Sequence, residues 1–228
     1  MPSSPLSRSV TPSLPFKFVG GDPSVDFVNT VDWTPSGLEH DRLGSYDRLV
    51  IWARGARLIS GADAVALRKA VESDAGRGKS AYETARSTRW ALHEVFYAVI
   101  TRQSQLLAEA LPEFDRLVNR AHQRLQVAVA PGGRRRGSGA LSWGWRGMPD
   151  QLECVLWPVV RAAANLLTSP EAGRLRMCAG PDCGWLYVDR SRNGLRRWCE
   201  METCGTLAKS RRRAERRHVQ RVRVARSL

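Results

Sequence analysis

The chain has 228 residues, 43% hydrophobic and 25% charged, a balance that excludes a disordered chain and leaves room for one ordinary core plus a small module. No stretch approaches the roughly 20 apolar residues of a membrane span, and the opening "MPSSPLSRSVTPSLPF" lacks the apolar centre of a signal peptide. The net charge of +14 and the pI near 10.7 point instead to a polyanionic partner such as nucleic acid, with a solvated basic face as the plainer alternative.

Residues 1–15 read as a disordered tail and the protein as cytoplasmic. In "FKFVGGDPSVDFVNTVDW", Phe16–Val19 suits a strand, and Ser24–Val31 suits either a second strand or the first turn of a helix. Helices are predicted from Ser45 to about Leu58, over "ADAVALRKAVES", and over 81–103, where Leu92, Val95, Phe96 and Val99 follow helical spacing. A further helix is expected to begin near Pro112 and run through Phe114, Leu117, Val118, Ala121 and Leu125. The period then changes to two: Leu125, Val127 and Val129 alternate, as do Leu141, Trp143 and Trp145. The arginine-rich "PGGRRRGSG" between them makes this a hairpin with a long basic loop. A helix over about Asp150–Leu167 is kinked or divided at Trp157-Pro158.

The fold class that follows is α+β and predominantly helical. Residues 16–170 form a helical domain with a small hairpin, and 171–228 a second, smaller module. Asp26, Asn29 and Thr30 cluster in "VDFVNT". They suit the lining of a small-molecule pocket, or the plainer role of capping a helix and satisfying buried backbone. The four histidines, His40, His93, His122 and His218, are scattered and suggest neither a metal site nor a triad. With no phosphate loop or HExxH motif either, no enzyme is expected.

The second module carries the sharpest pattern. Four of the five cysteines form two pairs, Cys178/Cys183 and Cys199/Cys204, with four residues inside each pair and fifteen between them. Clustered cysteines in a reducing compartment point to metal rather than to disulfides. Two pairs on tight turns can deliver four thiolates to one structural Zn²⁺, leaving no open position for catalysis. Asn193-Gly194 predicts a β-hairpin between the pairs, with strands over Trp185–Asp189 and Arg196–Trp198. Cys154, on an apolar helix, reads as a small buried hydrophobe.

Beyond the last cysteine, residues 205–228 hold nine lysines and arginines against one acid, Glu215, in a segment with few helix breakers. A helix is expected over Ala208 to about Val222. Lys209, Arg211, Arg212, Arg213, Arg216 and Arg217 are its candidate phosphate contacts, and Arg190, Arg192, Arg196 and Arg197 on the hairpin extend the surface. Trp185, Tyr187 and Trp198 suit base stacking or, more simply, packing around the zinc hairpin.

These residues also carry a resemblance. "CAGPDCGWLYVDRSRNGLRRWCEMETCG" resembles the CGNR-type zinc finger found at the C-terminus of many bacterial proteins. Cys178, Cys183, Cys199 and Cys204 fall on that family's zinc ligands. "FVGGDPSVDFVNT", "SYDRLVIWAR" and "LWPVVRAAANLLTSP" resemble the ABATE domain of stress-induced transcription regulators that usually precedes this finger. The resemblance implies a zinc-containing DNA-binding regulator whose first domain senses an effector or forms a homodimer. RNA binding and docking on an acidic protein are the rival functions. One departure stands out: the Cys-Gly-Asn-Arg that names the finger reads Cys204-Gly205-Thr206-Leu207 here.

Overall fold

Four polar residues cap the starts of three helices in the framework. Ser45 accepts from the Arg48 amide ahead of α2 (Tyr46–Gly55), and Ser60 and Asp63 form a reciprocal capping box at α3 (Gly61–Glu72). Asp74 accepts from the Gly76 and Arg77 amides at the start of the 27-residue helix α4 (Ala75–Thr101). The computed structural model describes residues 15–34, 37–129, 141–148 and 150–225. Residues 1–14 of the expected tail and the basic loop 131–139 lie outside them.

The undecided opening resolves toward helix. Asp22 caps α1 (Pro23–Val28), and Pro23 occupies the first turn, where its missing N–H costs nothing. Phe16–Val19, expected as a strand, is irregular. Its backbone serves neighbours rather than a ladder: the Val19 carbonyl accepts from Arg196 at 2.9 Å. An unanticipated hairpin follows, β1 (Val31–Thr34) against β2 (Gly37–Asp41), pairing Val31 with Asp41 and Trp33 with Leu38.

Arg102, in the left-handed conformation, ends α4, and α5 (Ser104–His122) packs back against it. The expected start at Pro112 is thus eight residues late, and Pro112 lies inside the helix. Leu107, Phe114, Leu117 and Ala121 continue one apolar stripe on both sides of it, while Pro112 itself faces solvent. Burial of that stripe outweighs the single backbone hydrogen bond a proline forfeits.

β3 (Leu125–Val129) and β4 (Leu141–Trp145) pair antiparallel, Val127 opposite Trp143 and Val129 opposite Leu141, as the alternation predicts. The predicted division at Trp157-Pro158 also holds: a 3₁₀ turn over Leu152–Leu156 gives way to α6 (Trp157–Leu167). Among the described residues no helix is long and apolar enough to cross a membrane.

The core gathers Phe27 and Val28 of α1, Leu49 and Trp52 of α2, Leu92 and Phe96 of α4, and Val159 and Ala163 of α6, all at most 1% exposed. A half-buried ion pair borders it, with the arginine buried and the carboxylate partly exposed. Arg89 grips Asp41 through both oxygens at 2.9 and 2.6 Å and also donates to Thr30 Oγ1 at 2.9 Å. Burial alone would raise the Asp41 carboxyl; the Arg89 hydrogen bonds and charge outweigh it and hold it below the usual range.

Asp26 shows the opposite balance. Its Oδ1 accepts from the Gly20 amide at 2.7 Å, yet burial pushes its pKa up to about 6. Folded Asp26 therefore binds its proton more tightly than the unfolded chain does. Its contribution favours folding at low pH and is lost as the pH rises from about 4 through about 6. Asp26→Asn keeps an acceptor for Gly20 without the charge. It should raise stability by about 2 kcal/mol near neutral pH, measured by urea denaturation, and the gap from wild type should close toward pH ~4.

Candidate metal centre and basic helix

The cysteine pairs are presented by two loops whose backbones hold each other. β5 (Leu175–Met177) leads into the first loop and β6 (Leu186–Val188) leads out of it, paired antiparallel with Met177 opposite Leu186. The Cys183 amide donates to the Gly180 carbonyl at 3.1 Å, which closes the turn between the first two ligands. Cys199 sits on the returning segment, and Cys204 lies in a π-helical turn over Met201–Gly205.

All four sulfurs lie within 4.8 Å of one another, the one such cluster among the described residues. Cys183 and Cys199 sulfurs are 3.8 Å apart, and Cys199 and Cys204 sulfurs 3.6 Å. These separations are too long for S–S bonds. They match the edge of a tetrahedron with Zn–S bonds of about 2.3 Å, roughly 3.8 Å. The Gly180 and Cys199 amides point at Cys178 Sγ from 3.4 and 3.3 Å, a donor pattern that suits a thiolate. Hydrogen bonds from Cys183 and then Cys199 lower the Cys178 thiol, while the bond to Cys178 pushes Cys183 up, so one proton is lost at the expense of the next. Such a set ionises together only around a cation. The donor set therefore fits one structural zinc, which when bound supplies charge neutralisation and a fixed geometry.

The hairpin between the pairs is built differently from the expectation. Residues 195–198 form no strand, and β6 finds its partner in β5 instead. The buried Asp189 carboxylate takes over the ladder's job, accepting from the Ser191 amide at 2.9 Å and the Arg196 amide at 3.1 Å. Its hydrogen bonds, the one from the Ser191 hydroxyl foremost, hold its pKa down. Tyr187 donates to the Arg196 carbonyl at 2.6 Å, and the Ala179 amide to the Arg197 carbonyl at 2.8 Å. A tight turn does form here, but over Ser191–Gly194. The Gly194 amide donates to the Ser191 carbonyl at 3.2 Å, and Gly194 alone in the turn takes positive φ, 62°. The two-residue hairpin turn expected of Asn193-Gly194 is thus replaced by a turn that ends on the glycine.

The finger is welded to the helical part. Both ends of the Asn29 amide pair with Leu186 as a neighbouring strand would: Nδ2 donates to its carbonyl at 2.8 Å and Oδ1 accepts from its amide at 2.9 Å. The Trp185 indole donates to the Val31 carbonyl at 3.1 Å, the Gly184 amide to Trp33 at 2.7 Å, and the Val188 amide to Gly20 at 2.8 Å. A Cβ on Gly184 would come within 2.7 Å of the Trp33 Cβ, so only glycine permits this approach. Of the three residues suggested for a ligand pocket, Asp26 and Asn29 are thus engaged in holding backbone. Thr30 donates to the Phe27 carbonyl at 2.6 Å and accepts from Arg89.

The candidate arginines divide into two groups. Arg190 makes a two-pronged pair with Glu171 at 2.9 and 2.8 Å and also bonds the Gly21 carbonyl. Arg196 donates to the carbonyls of Val19, Trp198 and Cys199 while its guanidinium lies 4.3 Å over Tyr187. Both brace the fold. Arg192 is exposed on the turn, and Arg197 stacks 5.2 Å over the half-buried Trp198. Trp185 and Tyr187, the other two stacking candidates, are buried at 6% and 1% exposure.

α7 (Thr206–Ala225) starts directly off the turn that carries Cys204, two residues earlier than expected. Lys209, Arg212, Arg213 and Arg216 line one exposed groove on it, and Arg217 is exposed beside them. Arg211 pairs with Asp182 at 2.8 Å and so ties the helix to the first cysteine loop. At the departure from the naming motif, Thr206 donates its hydroxyl to the Met201 carbonyl at 3.1 Å, and Leu207 is 60% exposed. Sequence reasoning missed the joining role of Asn29 and the bracing role of Arg196. A side chain that substitutes for a strand has no spacing signature.

Cys199→Ser should cut zinc from one ion per chain to near none by metal analysis. Asn29→Ala, which leaves two buried Leu186 backbone groups unpaired, should cost about 3 kcal/mol in urea denaturation while zinc stoichiometry persists.

The comparisons with known proteins agree with this geometry. The family model ABATE, described as "Putative stress-induced transcription regulator", matches residues 21–170, and the CGNR zinc finger model matches residues 174–217. No curated protein matches the chain. The chain belongs to the ABATE family and carries a CGNR zinc finger after the ABATE region.

Proposed function

We propose that this zinc-binding regulator acts on DNA, with α7 laid against the phosphate backbone. The observation that carries the reading is the row Lys209, Arg212, Arg213 and Arg216 on an exposed helix that begins two residues after a zinc ligand. At i, i+3, i+4 and i+7 these cations share one face. A helix fixed at its base by metal presents that face without the entropy cost of ordering a loose tail.

Some refinement follows from the partners of each arginine. Arg190 and Arg196 already spend their guanidinium groups on the fold, so the α7 groove, with Arg217 next to Arg216 on the same helix, forms the working surface, and Arg192 remains exposed on its own turn. Thr206 and Leu207 add little: one hydroxyl is turned inward and the other side chain is apolar. Recognition at this end therefore rests on phosphate contacts, which position the helix without reading bases. Such a protein works where the chromosome is, in the cytoplasm of a bacterium.

Purified zinc-loaded protein should shift a duplex DNA probe, and log affinity should fall linearly with log salt. Replacing Lys209, Arg212 and Arg216 by alanine should weaken binding at least ten-fold and reduce the salt slope by about three, since each lost phosphate contact removes about 0.9. Absence of binding at low salt, or a flat salt dependence, would refute the reading. Preference for structured RNA in a competition would favour the RNA alternative. Binding only to an acidic protein would favour the third.

A further inference from the structure

Away from the sulfur cluster and the basic helix, α4 and α5 leave a cleft of about 270 Å³ between them. Trp90, His93, Glu94 and Tyr97 line it from α4, and Leu106 and Glu109 from α5. The α4 residues stand at i, i+3, i+4 and i+7, so a single helix face presents three rings and a carboxylate. Below them Trp33 of β1 lies flat under His93, ring centroids 3.7 Å apart and planes at 10°. Trp90 packs 5.6 Å from Trp33, and Tyr97 stacks 6.0 Å from His93. Trp90 is 49% exposed at the mouth, an unusual degree for the largest side chain.

Charge makes the cleft more distinctive. The chain carries +14, yet among the described residues no lysine or arginine lines this space, and the ionic groups that do are Glu94 and Glu109. Gln105 donates to Glu109 Oε1 at 3.1 Å and steadies that carboxylate. Burial lowers the His93 imidazole to about 4, so at neutral pH it is an uncharged ring that does not repel a cation. Aromatic faces attract cations through the ring quadrupole. The attraction is strongest for weakly hydrated, alkylated ammonium groups that shed water readily. Anions are disfavoured by both carboxylates, and a neutral apolar ligand gains nothing from them.

We propose that this aromatic, carboxylate-flanked cleft is a binding site for a small organic cation of the alkylated-ammonium class. Its size, near the lower end for small-molecule pockets, suits an ion of that kind. The cleft also touches the rest of the molecule's chemistry. Trp33, beneath His93, is the residue whose carbonyl accepts from the Gly184 amide beside Cys183. The proposal does not depend on the DNA reading, because its test contains no nucleic acid.

The test is calorimetric titration of the full zinc-loaded chain with choline and benzyltrimethylammonium, and with dimethylbutanol, the uncharged carbon isostere of choline. Saturable one-to-one binding of an ammonium is expected, with the alcohol at least roughly ten-fold weaker. Trp90→Ala and the isosteric Glu94→Gln should each weaken ammonium binding by roughly ten-fold. Trp90 and Glu94 are both exposed, so unchanged thermal unfolding would confirm that the site and not the fold was lost. Equal binding of the alcohol, unchanged affinity in both variants, or no saturable binding of either ammonium up to about 10 mM overturns the proposal.

Discussion

Four sulfurs held within 4.8 Å of one another set the condition on which the C-terminal module rests. Thiolates at that separation repel, and neutral thiols offer only weak hydrogen bonds, so a cation is what makes the cluster a minimum. With zinc in place the first loop stays closed, β5 and β6 keep their register, and the turn over Met201–Gly205 becomes a rigid base for α7. Four thiolates and one Zn²⁺ leave a net charge of about −2, which the Gly180 and Cys199 amides help to offset. A small module gains from metal what its few apolar residues cannot supply.

That module is nevertheless not suspended on a linker. Leu175, Trp185, Leu186, Tyr187 and Val188 belong to the same apolar cluster as the helices, and Asn29 completes β6 with a side chain. The β1 backbone serves two neighbours at once, with the Val31 and Trp33 carbonyls accepting from Trp185 and Gly184. Glycine at position 184 and the flat indole of Trp33 make the close approach feasible. The direction in which α7 projects is therefore set by the helical part as well as by metal.

Charge is segregated along the same axis. The exposed face of α7 gathers Lys209, Arg212, Arg213 and Arg216, whereas the described residues that line the α4–α5 cleft include two carboxylates and no cation. Three arginines elsewhere are taken up within the fold: Arg89 by Asp41, Arg190 by Glu171, Arg196 by three backbone carbonyls. The overall charge thus overstates the surface available to a polyanion. What matters is which guanidinium groups keep their hydrogen-bonding capacity, and a charge count cannot tell.

Local patterns in the sequence determined a good deal about this protein. The paired cysteines and their spacing specify the ligands, Asn193-Gly194 specifies a tight turn, and the helix-spaced and alternating apolar residues specify α4 and the β3–β4 pair. Each rests on geometry within a few residues, where steric preference and periodicity act directly. Tertiary structure alone decided the rest. α5 runs through Pro112 because burial of a continuous stripe exceeds one lost hydrogen bond. β6 pairs with β5 and not with residues 196–198 because Asp189 satisfies the Arg196 amide first. Val127, Val129, Leu141 and Trp143 alternate like an inward face yet stand 54–69% exposed, and what lies over the Trp143 ring, at 4.7 Å, is the guanidinium of Arg161. Asn29 and Arg196 became joints, and Trp33 and Glu109 came to lie against the α4 face of Trp90 and His93, because contacts between distant segments depend on where whole elements come to rest, and no local spacing records that.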